Sequence, residues 1–152
     1  MTVALRSPAR GFTLVEVIIV IALVAVMAAV LSPMLMTSPI RALQAEARDV
    51  ATTLRETRRL ALARQSRQRF VVDTDSGRYG IASNTLSAAL PDGMQAQLTT
   101  DESLLTNEST GSIDFFPDGS SSGGRVSLVM ADRFLDVDVE WLTGRIRVRE
   151  PH

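Results

Sequence analysis

The chain is 152 residues long, which allows one ordinary domain of about 100 residues and an additional segment but not two full domains. Its 16 Lys and Arg against 17 Asp and Glu give a formal net charge of −1, so global electrostatics provide no case for binding nucleic acid or acidic substrates. The absence of Cys and the single His, at position 152, exclude disulfides and a cysteine nucleophile and argue against a serine triad or a histidine-built zinc site.

An apolar segment follows a short basic leader at the N-terminus. Residues 17–31, VIIVIALVAVMAAVL, carry no polar side chain. Extended back to Phe12, the segment has about 20 residues, which as a helix rise about 30 Å and match the hydrocarbon core of a bilayer. We therefore expect a leader over residues 1–11 and a helix over residues 12–32 that spans the inner membrane once. The leader carries two arginines and no acid, so the positive-inside rule keeps the N-terminus cytoplasmic and the C-terminal domain periplasmic.

Glu16 lies inside this apolar segment, where an unpaired carboxylate costs about 3 kcal/mol on insertion. A secretory signal peptide or a plain membrane anchor would account for the apolar residues, but neither accounts for Glu16. The stretch Gly11-Phe12-Thr13-Leu14-Val15-Glu16 resembles the type IV prepilin signal. This resemblance implies that prepilin peptidase cleaves between Gly11 and Phe12 and that Phe12 becomes N-methylated. We expect Glu16 to pair with the Phe12 amine of a neighbouring subunit and to set the register of assembly, because each buried charge alone is costly.

Beyond the apolar segment, the pattern predicts an amphipathic continuation of the same long helix over residues 33–67. Pro33 is expected to kink or locally melt it, and Ser38 and Pro39 to restart it, as N-cap and first-turn residue. An apolar stripe then recurs at three- and four-residue steps, at Ile40, Leu43, Ala47, Val50, Leu54 and Ala61. Arginines accompany it at Arg55, Arg58, Arg59, Arg64 and Arg67. We interpret them as a solvated face that complements the helix dipole, with a basic stripe for a partner or lipid head groups as the alternative.

The pattern of residues 68–152 predicts a β-rich domain. Strands over 69–73 and 78–82 flank the turn Thr74-Asp75-Ser76-Gly77, which is a hairpin signal. Further strands are predicted over 94–99, 113–116, 125–130, 134–141 and 145–149, the last three in meander order. Trp141 and the phenylalanines are assigned to the core. The expected fold is α+β, with a long N-terminal helix packed on one face of a small antiparallel sheet, as in pilins.

Residues 117–124, PDGSSSGG, connect two of these strands. They lack the Gly-Lys-Ser/Thr of a P-loop and a following helix, and their serines have no base nearby, so phosphate binding and hydrolysis are excluded. We expect a flexible connection. Nearby acids raise the question of calcium, namely Asp114, Asp118, Asp132, Asp136, Asp138 and Glu140. Without a loop pattern that bends ligands around an ion, we expect no metal and no cofactor.

Two stretches of the C-terminal third, residues 115–126 (FFPDGSSSGGRV) and 139–145 (VEWLTGR), resemble the GspH family of type II secretion minor pseudopilins. The resemblance spans nearly the whole mature chain and is weakest over residues 83–112. It implies a structural subunit with no catalytic residues, near the tip of a short periplasmic pseudopilus that helps to move folded proteins across the outer membrane. The implied partners are other pseudopilins, prepilin peptidase and the inner-membrane secretion platform.

The segment Gly144-Arg145-Ile146-Arg147, followed by Arg149, supports an alternative. It resembles the Gly-Arg-x-Arg segment of FimT-type minor pilins, which share this domain and are associated with DNA uptake. On a strand, the three arginines project to one face and give modest, salt-sensitive affinity for phosphates. The preceding strand carries acids at the same spacing, which are expected to pair with them: Asp136, Asp138 and Glu140. We therefore favour a solvated strand face and expect no nucleic-acid partner.

Overall fold

A computed structural model describes residues 13–31, 38–82, 86–101, 104–107 and 109–149. The chain divides into two compact units, Met1–Thr37 and Ser38–His152. The first unit contains helix α1, Leu14–Leu31, and the second contains helix α2, Pro39–Arg64, together with all the strands. The predicted kink at Pro33, and with it the continuity of one long helix, lies outside the described residues.

Helix α1 begins with a side-chain cap. The backbone N–H of Glu16 donates to Thr13 Oγ1 at 3.2 Å, and the N–H of Val17 donates to the Thr13 carbonyl at 3.2 Å. Residues 13–27 are all exposed in the single chain, Leu14 to 77%. Within the described residues, no helix combines the length and the apolar character needed to cross a membrane. The span predicted over residues 12–32 begins and ends outside the described part of the chain, and it stays a prediction.

Helix α2 starts at the predicted place. Pro39 occupies the first turn, and the carbonyl of Ser38 accepts hydrogen bonds from the N–H groups of Arg41 and Ala42 at 2.8 and 3.2 Å. The side chain of Ser38 makes no capping hydrogen bond, so this residue caps through its backbone. The helix ends at Arg64, before the predicted end at Arg67, because the next residue adopts the left-handed conformation with φ 48°.

The described strands form two four-stranded antiparallel sheets, where one sheet was predicted. The first sheet contains β1 (Gln68–Asp73), β2 (Arg78–Ile81), β3 (Ala88–Ala89) and β5 (Thr110–Phe115), in the order β3-β2-β1-β5. The second contains β4 (Met94–Thr99), β6 (Gly124–Met130), β7 (Arg133–Val139) and β8 (Ile146–Arg149), in the order β4-β6-β7-β8. The predicted hairpin is confirmed as β1–β2, and the predicted meander as β6–β7–β8.

The core lies between α2 and strands of both sheets. The predicted apolar stripe of α2 is buried, apart from the half-buried Ile40, and packs with Phe70, Phe115 and Leu128. The core assignment is wrong for Trp141 and Phe134, which are 66% and 50% exposed. Phe134 points outward because it alternates with the inward-facing residues of β7. Trp141 lies beyond the end of β7, where strand alternation no longer directs a side chain into the core.

One carboxylate of α2 is buried against the first sheet. Glu46, 8% exposed, accepts a hydrogen bond from Tyr79 Oη at 2.5 Å. Burial and the hydrogen bond to Glu46 raise the pKa of the Tyr79 phenol above its ordinary value. The folded protein therefore holds Tyr79 in its neutral form, in which it can donate to Glu46.

This pair predicts a loss of stability at alkaline pH. A phenol pKa that is raised on folding contributes stability fully below the unfolded pKa of about 10, and that contribution is lost as pH rises further. Tyr79 is the one tyrosine of the chain, so tyrosinate absorbance reports it alone. We expect the folded protein to ionise this group only together with unfolding, and the denatured chain to ionise it near pH 10. Ionisation of folded protein at that pH would contradict the assignment, and Tyr79→Phe is the control that removes the signal.

Candidate functional site

The predicted assembly residues lie partly outside the described part of the chain. Gly11 and Phe12 precede it, so the scissile bond and the new amine stay predictions. Glu16 lies in the first turn of α1, where a negative charge complements the helix dipole. Its side chain is exposed and forms no ion pair with the residues that the structure describes. The carboxylate is therefore available to a charge on another subunit.

Arg145, Arg147 and Arg149 were predicted to form a row on one strand face, but only two of these three arginines lie on β8. Arg145 lies in the turn before the strand, whereas Arg147 and Arg149 alternate on it. In the register of β7 with β8, these two lie opposite Asp138 and Asp136, respectively. Strand alternation therefore applies to the last two arginines, and the predicted strand start at Arg145 is one residue too early.

The acids of β7 neutralise part of this row. Arg149 Nε forms an ion pair with Asp138 Oδ2, which confirms the predicted pairing for this residue. Asp138 Oδ1 also accepts a hydrogen bond from Arg125 Nε at 2.6 Å, and this bond and the charge of Asp138 raise the pKa of Arg125. Arg145 and Arg147 form no ion pair with any described residue, so their charges are not compensated there.

The other two acids of the predicted set bind hydroxyl groups. Asp136 Oδ1 accepts a hydrogen bond from Ser127 Oγ at 2.7 Å, and Glu140 Oε2 accepts one from Thr143 Oγ1 at 2.8 Å. Within the described residues, neither carboxylate forms an ion pair with Arg145, Arg147 or Arg149. In the same part of the chain, no group of three or more His, Asp or Glu side chains is arranged to hold a metal ion.

Asp114 on β5 is buried and binds two arginines. Its Oδ1 accepts a hydrogen bond from Arg69 Nε at 2.8 Å, and its Oδ2 forms an ion pair with Arg67 Nη2. Arg67 is exposed, as predicted, but it does not belong to a helix face. The helix has already ended at Arg64, and the charge of Arg67 compensates a carboxylate that is 1% exposed.

The serine-rich loop over residues 117–124 is held by hydrogen bonds, so the prediction of a flexible connection is wrong. Ser121 donates from its N–H to the Trp141 carbonyl at 2.8 Å and from Oγ to the Glu140 carbonyl at 3.2 Å. Ser122 donates its N–H to the Asp114 carbonyl at 2.9 Å, and its Oγ accepts from the Asp114 N–H at 3.0 Å. These serines thereby join the end of β5 to the turn between β7 and β8, which we call the β7–β8 turn (residues 140–145).

Arg58 of α2 reaches the same region. Its Nε donates to the Gly119 carbonyl at 3.0 Å, and its Nη2 donates to the Thr143 carbonyl at 3.1 Å. Gly144 adopts φ +60°, and a Cβ there would lie 2.8 Å from Arg58 Nε and would clash with the Gly119 carbonyl oxygen. We call these four residues the Arg58 junction. Arg58 is half-buried and structural, which corrects its assignment to a solvated face.

A cleft of ≈ 380 Å³ lies between α2 and the β7–β8 turn. Three of its lining residues are arginines, Arg55 and Arg58 from the helix and Arg145 from the turn, and the others are Thr143, Gly144 and Ile146. Sequence reasoning missed this convergence. The spacing of Arg55 and Arg58 places them on neighbouring positions of one helix face, but no sequence signal brings Arg145 beside them.

Comparison with known proteins yields two family matches. Residues 6–32 match the prokaryotic N-terminal methylation motif, and residues 46–143 match the type II transport protein GspH. The first match contains Gly11, Phe12 and Glu16. The second extends from α2 to the β7–β8 turn and therefore includes the Arg58 junction except for Gly144.

Individual proteins show the same relationship. The type II secretion system protein H of Xanthomonas campestris pv. campestris is 35% identical over 144 residues, covering 93% of this chain and 84% of that protein. The minor pseudopilin EpsH of the Vibrio cholerae type II secretion system gives a TM-score of 0.59 at 14% identity, over 76% of this chain and 98% of that chain. The Pseudomonas aeruginosa type IV minor pilin FimU gives 0.51 at 17% identity, over 70% and 87%. These two structures confirm the α+β, pilin-like fold.

Proposed function

The chain belongs to the GspH family, the minor pseudopilins of type II secretion, and from this premise we propose that it assembles near the tip of a periplasmic pseudopilus. The family is structural and not enzymatic. In the mechanism that we propose, the processed N-terminal helix joins a bundle of pseudopilin helices. The filament then helps to move folded proteins across the outer membrane.

The N-terminal methylation motif is the observation that carries this proposal. The motif and the family imply a pseudopilin anchored in the inner membrane. In our proposal, prepilin peptidase cleaves between Gly11 and Phe12, and the new Phe12 amine is methylated. Arg6 and Arg10 hold the leader on the cytoplasmic side, so the domain that follows α1 lies in the periplasm.

Assembly then depends on Glu16. The apolar side chains of α1 are exposed in the single chain over residues 14–27 and require lipid or other helices to cover them. In a water-poor helix bundle, a carboxylate and an amine are each costly to bury alone, so pairing Glu16 with the Phe12 amine of a neighbour neutralises both. The pair also fixes the axial position of one helix against the next. The proposed partners are the other pseudopilins of the filament, prepilin peptidase and the inner-membrane secretion platform.

Replacement of Gly11 by a bulky residue tests the processing step. We expect Gly11→Leu to accumulate as an uncleaved precursor, because a side chain beside the scissile bond blocks the peptidase. The measurement is the intact mass and first residue of the chain isolated from membranes, which for the natural sequence should be a methylated Phe12. Ala9→Leu introduces the same side chain within the leader and is expected to be cleaved normally. Normal processing of Gly11→Leu would refute the assigned bond.

DNA uptake remains the alternative and depends on Arg145 and Arg147. Both are exposed and uncompensated within the described residues, but the ion pair with Asp138 already engages Arg149. A phosphate chain that follows β8 would also meet the carboxylates of β7, whose charges repel it. We therefore retain secretion as the proposed function and expect no nucleic-acid partner.

A further inference from the structure

The cleft between α2 and the β7–β8 turn concentrates positive charge. Arg55, Arg58 and Arg145 line it together, and none of the described residues that line it is acidic. Like charges in one cleft repel each other, so an anion in the cleft would be bound and would relieve that repulsion. The arrangement therefore favours a negatively charged occupant.

The guanidinium of Arg58 is held in place before any occupant arrives. Its Nε and Nη2 donate to the backbone carbonyls of Gly119 and Thr143, which carry no net charge. Because a guanidinium has five N–H donors, others remain for a second acceptor. Arg58 thus keeps its full charge and loses little freedom on binding a carboxylate, which arginine recognises with a planar fork.

The side chains of Arg55 and Arg145 are exposed and have no ion pair within the described residues. The nearest described acids along the chain do not line the cleft and have other hydrogen-bond partners. Glu56 binds Arg59 with both carboxylate oxygens, and Glu140 accepts from the Thr143 hydroxyl. The chain itself therefore supplies no described carboxylate to the cleft.

Exposed apolar side chains lie on the turn that lines one side of the cleft. The β7–β8 turn that contributes Thr143 and Arg145 also carries Trp141 and Leu142, which are 66% and 63% exposed. An exposed tryptophan beside arginines is typical of the centre of a protein–protein interface, where both residue types are enriched. The apolar turn fits a protein partner better than a polyanion.

We propose that this cleft and the adjoining Trp141-Leu142 turn bind an acidic peptide segment of another pseudopilin. A carboxylate of the partner enters among Arg55, Arg58 and Arg145, and an apolar side chain of the partner packs on the turn. This inference rests on the proposed function, because it supplies one lateral contact for a subunit that is already placed in a filament by its N-terminal helix.

A photo-crosslinking experiment in cells that carry the whole secretion system tests the proposal. A photoreactive phenylalanine analogue replaces Leu142 in the full chain, and the crosslinked peptide is identified by mass spectrometry. We expect a crosslink to another pseudopilin within a segment that contains Asp or Glu. Arg145→Glu and Arg55→Glu should each reduce its yield at least tenfold, because reversal of either charge repels the acidic segment.

Arg133→Glu is the matched control, since it reverses an exposed arginine that does not line this cleft and should leave the yield unchanged. Cleavage of the leader, the amount of variant in the filament fraction and resistance to protease are measured on the same samples. An unchanged yield in both cleft variants, with incorporation intact, overturns the docking site alone. Loss of incorporation in the unsubstituted chain overturns the proposed function. A crosslink to nucleic acid or to a second copy of this chain also overturns the proposed occupant.

Discussion

A Glu16→Val variant is expected to insert in the inner membrane and lose its leader but to be absent from the pseudopilus. Removal of the carboxylate makes the helix more apolar, which favours insertion by about 3 kcal/mol. It also removes the anion that we pair with the Phe12 amine of a neighbour, and that amine is then left without a counter-charge. The measurement is the distribution of the variant between membrane and filament fractions, together with secretion of a substrate protein.

The helix cap does not confound this experiment. Thr13 Oγ1 accepts from the backbone N–H of Glu16, so the substitution leaves the capping hydrogen bond in place. Glu16→Gln keeps the size and polarity of the side chain and should fail as Glu16→Val does, because only the charge is lost. Val17→Ala changes the next residue without altering charge and should assemble normally. Filament incorporation of Glu16→Val at the natural level would count against the pairing mechanism.

Gly144→Ala is expected to destabilise the domain by about 3–5 kcal/mol, which is at the upper end for single substitutions. Gly144 adopts φ +60°, where an L-residue costs about 1–2 kcal/mol. The new Cβ would in addition clash with the Gly119 carbonyl oxygen and crowd Arg58 Nε, so the Arg58 junction has to separate. Denaturant unfolding of the full chain in detergent, followed by circular dichroism, measures the loss.

Gly93→Ala separates the two contributions. Gly93 has a similar backbone strain, with φ +79°, but nothing lies within 4 Å of its added Cβ. This variant should therefore show the cost of the backbone conformation alone, about 1–2 kcal/mol. Equal losses for the two variants would show that the Arg58 junction contributes nothing to stability.

Local sequence patterns predict most of the strands. The strand at Met94–Thr99 has its predicted bounds, since Pro91-Asp92-Gly93 marks a turn and the alternating side chains match the pleat. The turn of the β1–β2 hairpin is likewise held by contacts between neighbouring residues, because Asp73 accepts hydrogen bonds from the N–H groups of Asp75 and Ser76. The short strand at Ala88–Ala89 was missed, because two alanines carry no strand signal.

Several of the wrong predictions involve partners that are distant along the chain. Arg58 binds carbonyls 61 and 85 positions away, and no periodicity of α2 contains that information. The division of the strands into two sheets likewise depends on pairing across the whole domain. Of the candidate sites, the prepilin signal could be read from contiguous residues. The arginine cleft could not, because it forms only when the β7–β8 turn meets α2.

Side-chain hydrogen bonds join helix α2 to the β-rich domain at two points along its length. Glu46 binds Tyr79 of β2 in the first sheet, and Arg58 binds the serine-rich loop and the β7–β8 turn next to the second. A mechanical load on this helix therefore passes to both sheets at once, because neither sheet is reached only through the other. In the filament that we propose, a force applied along α2 would therefore move the β-rich domain as one unit, without separating its two sheets.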